Sequence, residues 1–325
     1  MGRRGSAVTI ALLLLGAALV AAGCGLGPGS GVGTVDLTVT REFGAVKMSE
    51  ASGEANESDT VMRFLEGEDE IETRYGGGYV KSIDGVSEGE RGGHPYDWFF
   101  YVNGIESPIG AAEVSLEGGE KIWWDIHDWS ASEHVPAVVG SWPAPFTTGW
   151  EGHEPAIDVE CEIDGPSCGA VFEALEEAGA PVEATEASFE EEDLAPPAKA
   201  EGAPPIRVLV GTWADLRSDA AAKLLENGPA ESGVYAEFEQ TGGAAWRLVG
   251  LDEDGSKART FGADVGLVAA TRHYEGPPVW LVTGGSGEAV RAAAGALDVA
   301  DLRDHYAVAS AAGAVTPLPL RSGSR

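Results

Sequence analysis

Alternating apolar and polar positions begin at residue 35 and predict a first domain that is rich in strands. Residues 35–40 alternate strictly, which is typical of a strand with one buried face. Further strands are predicted at residues 45–48, 70–75, 79–83, 98–102 and 121–127. Apolar residues at helical spacing within residues 61–65 predict a short helix after the second strand, capped by Ser58 or Asp59. Two strands, a helix and several further strands are the element order of a β-grasp-like fold.

From residue 156 onward, predicted strands and helices alternate. Strands are expected at residues 157–159, 206–211, 234–238, 246–251, 265–270, 279–283 and 306–309, and helices at residues 168–177, 215–227 and 288–297. Such alternation indicates an α/β domain with a mixed sheet, although it does not reveal the order of the strands.

The predicted fold class is therefore α+β, with a small β-grasp-like domain at residues 35–130 and an α/β domain at residues 156–320. Residues 131–155 are rich in proline, glycine and tryptophan and are expected to form an ordered connector. The acidic and proline-rich segment at residues 181–205 is expected to be an exposed loop or linker of the second domain.

The extreme N-terminus has the layout of an export signal. Two arginines precede the uncharged run 7–22, which is shorter than the roughly 20 apolar residues that a membrane-spanning helix needs. The run ends in Ala21-Ala22-Gly23-Cys24, which resembles the lipobox of bacterial lipoproteins. The resemblance implies a signal peptide at residues 1–23, a diacylglyceryl group on the Cys24 thiol and a flexible tether at residues 24–34. An ordinary cleaved signal or an uncleaved anchor is the alternative.

The chain contains three cysteines, an odd number that needs an explanation in an exported protein. Lipidation would use Cys24, which leaves Cys161 and Cys168 to pair in an oxidising compartment. A catalytic dithiol normally has the closer C-x-x-C spacing. We therefore predict a structural disulfide between Cys161 and Cys168.

The net charge narrows the classes of partner. The chain carries 53 acidic and 21 basic residues and a formal charge of −32, which argues against nucleic acid and against electrostatic docking on anionic lipid. The acidic residues are spread along the chain, so they favour a solvated surface over a cation-binding cluster.

Five short blocks between residues 60 and 122 carry a family resemblance. They are residues 60–65 (TVMRFL), 79–85 (YVKSIDG), 98–104 (WFFYVNG), 107–111 (SPIGA) and 116–122 (LEGGEKI). Together they resemble the transcobalamin-like C-terminal domain family of bacterial envelope proteins. The resemblance implies a small β-domain related to ligand-binding β-grasp modules. In transcobalamin this domain covers one face of a bound corrinoid, so the resemblance names a corrinoid such as cobalamin as one candidate ligand.

Aromatic residues are dense in the predicted strand 98–102. Because side chains alternate along a strand, Trp98 and Phe100 point to one face, and Phe99 and Tyr101 point to the other. Protein can cover both faces, or one face can be a platform for a flat ligand. The polar tip of Tyr101 favours an outward position for this side chain. The candidate ligand-binding residues are Trp98, Tyr101, Asn103 and Trp123.

A group of histidines and aspartates could suggest a metal site: Asp125, His127, Asp128, His134 and His153. Neither cysteines nor a regular helical spacing supports that interpretation, so surface histidines and no metal are expected. The sequence shows no nucleophile–base set, and the chain is therefore not expected to be an enzyme.

These patterns favour a non-enzymatic protein on the extracytoplasmic face of a cell membrane, anchored by the lipid on Cys24. We expect it to bind a small molecule between its two domains, without a cofactor and without nucleic acid as a partner. The alternative is an envelope interaction module whose aromatic residues contact another protein or a wall polymer.

Overall fold

The computed structural model describes residues 29–161, 165–182, 204–243, 245–274 and 276–321. The predicted signal peptide, Cys24 and most of the segment 181–205 lie outside the described residues. None of the helices in the described ranges is long and apolar enough to cross a membrane. The fold is a mixture of α and β elements that is rich in strands.

Residues 31–128 form a six-stranded sheet, here called the N-terminal sheet, and a smaller three-stranded sheet. Their strands are β1 Gly31–Arg41, β2 Val46–Asn56, β3 Ile71–Arg74, β4 Tyr79–Ile83, β5 Val86–Ser87, β6 Gly89–Arg91, β7 His94–Val102, β8 Ile105–Glu106 and β9 Lys121–Asp128. The N-terminal sheet has the order β2-β1-β9-β7-β6, with β8 paired to β7, and the smaller sheet has the order β3-β4-β5. Only β1 and β9 pair in parallel within the N-terminal sheet as described.

The predicted helix of the first domain is α1, Val61–Glu68, and its apolar side is buried as the helical spacing predicts. Thr60 caps it, because the Thr60 hydroxyl accepts a hydrogen bond from a backbone amide of the first turn at 3.3 Å. The predicted cap at Ser58 or Asp59 is wrong. The Asp59 carboxylate instead accepts a hydrogen bond from the Asn56 amide at 2.8 Å, which holds the turn before the helix.

Protein covers both faces of the N-terminal sheet. Trp98 and Trp124 belong to the core beneath α1. Tyr101 and Trp123 lie on the opposite face, in a second core that includes Tyr306 from the far end of the chain. We call this second face the junction face, because it joins the two halves of the molecule.

Residues 157–318 form a second six-stranded sheet, here called the C-terminal sheet, and another three-stranded sheet. The large sheet contains β10 Ile157–Cys161, β11 Ile206–Thr212, β15 Gly266–Arg272, β16 Pro278–Gly284, β17 Ala307–Ala311 and β18 Ala314–Leu318, and the small one contains β12 Ala236–Gln240, β13 Trp246–Leu251 and β14 Lys257–Thr260. The large sheet has the order β10-β11-β16-β15-β17-β18. Its first three strands are parallel and the others antiparallel, so the prediction of a mixed sheet is confirmed.

Helices lie on both sides of the C-terminal sheet. They are α2 Pro166–Glu177, α3 Trp213–Leu216, α4 Pro229–Ser232, α5 Gly287–Ala294 and α6 Val299–Leu302. Residues of α2 and α5 share one core with the sheet, whereas α3 and the small β12–β14 sheet share the core on the other side.

Two predictions for this half are wrong. A single helix at residues 215–227 does not form; α3 is followed by a separate 3-10 helix, Ala222–Asn227. The Asp219 carboxylate accepts hydrogen bonds from the amides of Ala221 and Ala222 at 2.8 and 3.1 Å, and such side-chain bonds compete with a continuous helix. The strand predicted at residues 306–309 is also not the last one, since β18 pairs with it.

Residues 131–155 connect the two sheets and are bonded to both halves. The Val138 amide donates to the Gly104 carbonyl at 2.9 Å, and the Val139 amide donates to the Tyr306 carbonyl at 3.2 Å. The Arg272 guanidinium donates two hydrogen bonds to the Glu151 carboxylate, at 2.7 and 3.1 Å. The connector is therefore held to both halves by hydrogen bonds.

The predicted disulfide is present. Cys161 at the end of β10 is bonded to Cys168 in α2, with α-carbons 6.0 Å apart. The bond ties the first strand of the C-terminal sheet to the helix that covers it, and closing a short loop of this kind stabilises a fold by about 2–3 kcal/mol in the chain-entropy account.

Candidate functional site

The four predicted ligand-binding residues are all buried. The exposed fractions are 6% for Trp98, 0% for Tyr101, 4% for Asn103 and 3% for Trp123. The prediction of an aromatic platform open to a flat ligand is therefore wrong. The physical reason differs between the two faces: the C-terminal half packs over Tyr101 and Trp123 on the junction face, whereas Trp98 lies in the core beneath α1.

Tyr101 contacts a tyrosine from the far end of the chain. Its hydroxyl donates to the Tyr306 hydroxyl at 3.3 Å, and its ring centroid lies 5.7 Å from that of Tyr306 and 5.6 Å from that of Trp123. Burial raises the pKa of both tyrosine hydroxyls well above the usual value. Both are therefore neutral at physiological pH, and they join the halves through a hydrogen bond and an edge-to-face ring contact.

Trp98 and Asn103 hold neighbouring segments of the fold together. The Trp98 indole nitrogen donates to the Val86 carbonyl at 3.1 Å, which ties β7 to β5. Asn103 has a φ of 53° in the turn between β7 and β8. Its side-chain oxygen accepts from the Lys121 amide at 3.0 Å, and its side-chain nitrogen donates to the Gly149 carbonyl at 3.1 Å. The side-chain donor and the side-chain acceptor of Asn103 thus both bond within the protein, and neither is free for a ligand.

A buried polar cluster lies where the halves meet. It consists of Thr40, Asp125, His127 and Tyr306, and we call it the junction cluster. Asp125 is 0% exposed. Its carboxylate accepts hydrogen bonds from the Thr40 hydroxyl at 2.5 Å, from two backbone amides of the β1–β2 turn at 3.1 and 3.0 Å, and from the Tyr306 hydroxyl at 3.2 Å. The cost of burying this carboxylate is thus offset by donors from three segments.

The His127 ring is held between two aromatic rings. Its centroid lies 4.4 Å from that of Phe43 and 4.4 Å from that of Phe99. Its Nδ1 atom lies 2.9 Å from the Asp125 carboxylate and 3.0 Å from the Tyr306 hydroxyl. A carboxylate, an imidazole and a phenol in contact can move protons in an open site. Because His127 is 1% exposed, we assign the cluster to joining the two halves.

The expectation that His127 is a surface residue is wrong. Asp125 and His127 lie two positions apart on β9 and share one face, a relation that the strand pattern could have revealed. Tyr306 completes the cluster from 179 residues further along the chain. The local sequence pattern around His127 does not reveal a partner so far away in the chain. The contact with Tyr306 is what keeps the His127 imidazole buried.

An open cleft lies beside the junction cluster, between the N-terminal sheet and the segment around α6. We call it the junction cleft, and its volume is about 460 Å³. Its uncharged lining includes Thr38, Ser52, Trp123, Ser141 and Val299. The floor is the end of the junction face that the C-terminal half leaves uncovered.

Three carboxylates and two cations also line the junction cleft: Asp36, Glu50, Asp304, Lys121 and Arg303. The Lys121 ammonium donates to the Trp142 carbonyl at 3.0 Å. Burial lowers the pKa of this ammonium, whereas the Asp36 and Asp304 carboxylates raise it. A partly dehydrated cation beside open space is suited to bind an anionic or hydroxyl group of a ligand.

Ion pairs bridge the rim of the cleft. Arg303 pairs with Glu50, and the Lys47 ammonium lies 2.9 Å from the Asp304 carboxylate and 3.1 Å from that of Glu50. These contacts connect β2 with the residues after α6, so they hold the two walls together. Each exposed pair contributes only about 0–1 kcal/mol, which allows the rim to rearrange when a ligand enters.

Two glycines set the distance between the walls. A β-carbon on Gly44, where φ is +81°, would collide with the Asp304 carbonyl oxygen. A β-carbon on Gly140 would lie 2.7 Å from both the His305 amide nitrogen and the Trp123 ring. The halves approach each other through bare backbone at both positions, and a larger residue would push them apart.

Part of the N-terminal half is similar to a family of known proteins. Residues 58–128 match the model of a family described as a domain of unknown function, DUF4430. The matched segment contains α1 and β3 to β9, and it lies within the domain predicted at residues 35–130. It spans well under half of the chain.

A solved structure, described as that of a "putative metal binding protein" from Ruminococcus gnavus, is similar to 30% of this chain over 97% of its own length. The sequence identity is 12% and the TM-score is 0.23, so this likeness supports no conclusion about fold or ligand. No curated protein matches the chain. The comparisons therefore show a similarity to a domain of unknown function, and this similarity is confined to residues 58–128 of the N-terminal half.

Proposed function

We propose that this chain is a lipid-anchored protein on the extracytoplasmic side of a membrane, which binds a small polar molecule in the junction cleft without catalysing a reaction. The observation that carries the proposal is the cleft itself, an open space of about 460 Å³ between the two halves. Binding sites for small molecules commonly have volumes of roughly 300–1,000 Å³ and often lie where domains meet.

The lining favours a ligand that has both charged and hydrogen-bonding groups. Lys121 and Arg303 are suited to a carboxylate or a phosphate, since both are cations with several donors. The carboxylates of Asp36 and Glu50 are suited to an amine or a hydroxyl group. Trp123 also lines the cleft, although only 3% of the residue is exposed. A compact molecule with groups of both kinds fits this lining better than an apolar one.

A corrinoid has less support than a compact polar ligand. It is a broad and flat ring, and the predicted ligand-binding residues Trp98 and Tyr101 are both inside the protein. Of the four predicted ligand-binding residues, Trp123 does line the junction cleft. A corrinoid ligand stays a prediction that depends on the family resemblance.

The burial of the junction cluster supports binding rather than catalysis. Asp125 and His127 are an acid and a base in direct contact, the pair that an enzyme would present to its substrate. Both are enclosed between the two halves. Their hydrogen bonds keep the junction face in place, which fixes the floor of the neighbouring cleft.

Filling the junction cleft is expected to abolish binding. Ser52 is an exposed residue of β2 in the cleft wall, so Ser52→Trp places a large side chain in the cleft without disturbing a core. A small molecule that co-purifies with the wild-type protein should be seen as added mass in native mass spectrometry. We expect the Ser52→Trp protein to lose it.

Glu54→Trp is the matched control, because Glu54 is an exposed residue of the same strand outside the cleft lining. It should retain the added mass. A wild-type protein without added mass, or equal retention by Ser52→Trp, would contradict binding in the cleft.

Anchoring depends on Cys24, which lies outside the described residues. Cys24→Ala removes the thiol that accepts the diacylglyceryl group, so metabolic labelling with palmitate should fall to background. A double replacement of Cys161 and Cys168 by serine removes the disulfide and should keep the label. Undiminished labelling of the Cys24→Ala protein would contradict lipid anchoring through Cys24.

The alternative function, an envelope interaction module, stays a prediction. It depends on an open aromatic face for contact with another protein or a wall polymer. The C-terminal half covers that face, and small-molecule binding in the cleft is therefore the better supported function.

A further inference from the structure

His94, Asp128 and Asp254 converge at the surface where the two halves meet. His94 begins β7, Asp128 ends β9, and Asp254 lies in the turn between β13 and β14. The His94 Nδ1 atom lies 2.8 Å from Asp128 Oδ2 and 3.5 Å from Asp254 Oδ1. The three potential ligand atoms all lie within 4.8 Å of one another. Two come from the N-terminal sheet and the third comes from the C-terminal half.

Hydrogen bonds of its own fix Asp128 in position. Its Oδ1 atom accepts from the backbone amide and from the hydroxyl of Ser130, at 2.9 and 2.7 Å. Asp128 is only 5% exposed. Its Oδ2 atom is thereby directed towards His94, in the way that supporting hydrogen bonds orient the carboxylate ligands of metal sites.

A buried tyrosine beside this group lacks a hydrogen-bond partner. Tyr235 is 1% exposed, and its hydroxyl has no partner among the described residues. Burial raises the pKa of this hydroxyl, and the charges of three carboxylates raise it further: Asp128, Glu253 and Asp254. The hydroxyl thus lies in the field of the same carboxylates, and a buried polar atom without a partner is rare enough to need an explanation.

Negative charge is concentrated around this point. Glu253 precedes Asp254 in the chain and lies near Glu42, since the two line the same surface pocket. The Arg321 guanidinium, 3.3 Å from the Glu42 carboxylate, balances part of this charge. A bound cation would reduce the repulsion among these groups, since a divalent ion is the largest local charge in such a site.

We propose that His94, Asp128 and Asp254 bind a divalent transition-metal ion, with zinc as the best match. One imidazole nitrogen and two carboxylate oxygens are ligands that zinc commonly takes. Ligand atoms about 2.0 Å from a tetrahedral ion lie roughly 3.3 Å apart, which is close to the separations of 2.8 and 3.5 Å seen here. Three protein ligands leave the fourth position of a tetrahedral ion to a water molecule.

Metal binding at this site also ties the two halves together, because Asp254 belongs to a different half from His94 and Asp128. An ion that binds the folded chain adds stability that grows with the logarithm of its concentration. The three residues lie outside the lining of the junction cleft. The site is therefore independent of the proposed small-molecule function.

Calorimetric titration of the purified, chelator-treated protein with zinc chloride tests the proposal. We expect saturable binding of one ion per chain. Asp254→Asn and His94→Gln should each weaken the affinity by at least about tenfold, because even the partners that merely support metal ligands are worth that much. The side chains of His94 and Asp254 are 45% and 46% exposed, so both variants should fold normally.

His134→Gln is the matched control. His134 is exposed and its Nδ1 atom lies 3.1 Å from the Glu106 carboxylate, but no group of three metal-binding side chains in the described part of the chain includes it. Zinc should raise the melting temperature of the wild type and of His134→Gln, and not that of Asp254→Asn. The absence of stoichiometric binding would overturn the proposal, as would an unchanged affinity in either ligand variant or a lost affinity in His134→Gln.

Discussion

Replacing Tyr101 with alanine is expected to lower the free energy of unfolding by about 3–5 kcal/mol, the usual cost of removing a large aromatic side chain from a core. Tyr101 is fully buried and packs against Tyr306 and Trp123. Its loss opens a cavity between the two halves and deprives the Tyr306 hydroxyl of a hydrogen bond. Urea unfolding followed by circular dichroism measures the change.

Phe100→Ala is the matched comparison, because Phe100 is the neighbouring residue on the opposite face of β7. Phe100 is only partly buried, and its ring stacks on Trp124 with centroids 4.8 Å apart. We therefore expect a smaller loss of stability than for Tyr101→Ala. A larger loss for Phe100→Ala would contradict the packing of the junction face against the C-terminal half.

Asp125→Ala is expected to lower the free energy of unfolding by about as much as Tyr101→Ala. The Asp125 carboxylate accepts hydrogen bonds from the Thr40 hydroxyl and from the amides of Phe43 and Gly44. Each buried donor that loses its acceptor costs about 1–3 kcal/mol. We expect a total loss of about 3–5 kcal/mol, since these three donors and the Tyr306 hydroxyl lose their acceptor together. Thermal and urea unfolding of the purified variant measure it.

Asp36→Ala is the control for this prediction. Asp36 lies on the same face of the N-terminal sheet, but it is exposed in the junction cleft. Its replacement should change stability by no more than about 0.5 kcal/mol. If Asp125→Ala lost under about 1 kcal/mol, the junction cluster would not be holding the halves together.

The strands could be predicted because alternation is a property of each segment by itself. The alternating run at residues 35–40 lies within β1, and the run at residues 121–127 lies within β9. The helical spacing at residues 61–65 lies within α1 for the same reason. The pairing of Cys161 with Cys168 followed from their number and spacing. None of these inferences required knowledge of a distant part of the chain.

The orientation of the aromatic strand could not be predicted in this way. Alternation places Phe100 and Tyr101 on opposite faces, but it does not say what covers either face. The face that carries Tyr101 is buried because Tyr306, which is 205 residues away in the chain, packs against it. The polar tip of Tyr101 suggested an outward position, yet a buried hydroxyl is tolerated when it finds a partner, and Tyr306 provides one.

The residues that form the candidate sites also come from distant parts of the chain. In the sequence, Asp128 is adjacent to His127, which suggests that the two act together. Adjacent residues of a strand point to opposite faces, and Asp128 instead lies next to His94 of the paired strand and Asp254 of a distant turn. The junction cleft likewise combines β1, β2 and β9 with the residues after α6.

A crystal structure of the protein, purified from its own membranes under non-denaturing conditions, tests ligand binding in the junction cleft most directly. We expect electron density for one small polar molecule that contacts Lys121 and the indole of Trp123. The contradicting result is a cleft that holds only ordered water while the native mass spectrum of the same protein shows a bound molecule. The ligand would then lie elsewhere, and the proposed function would be wrong.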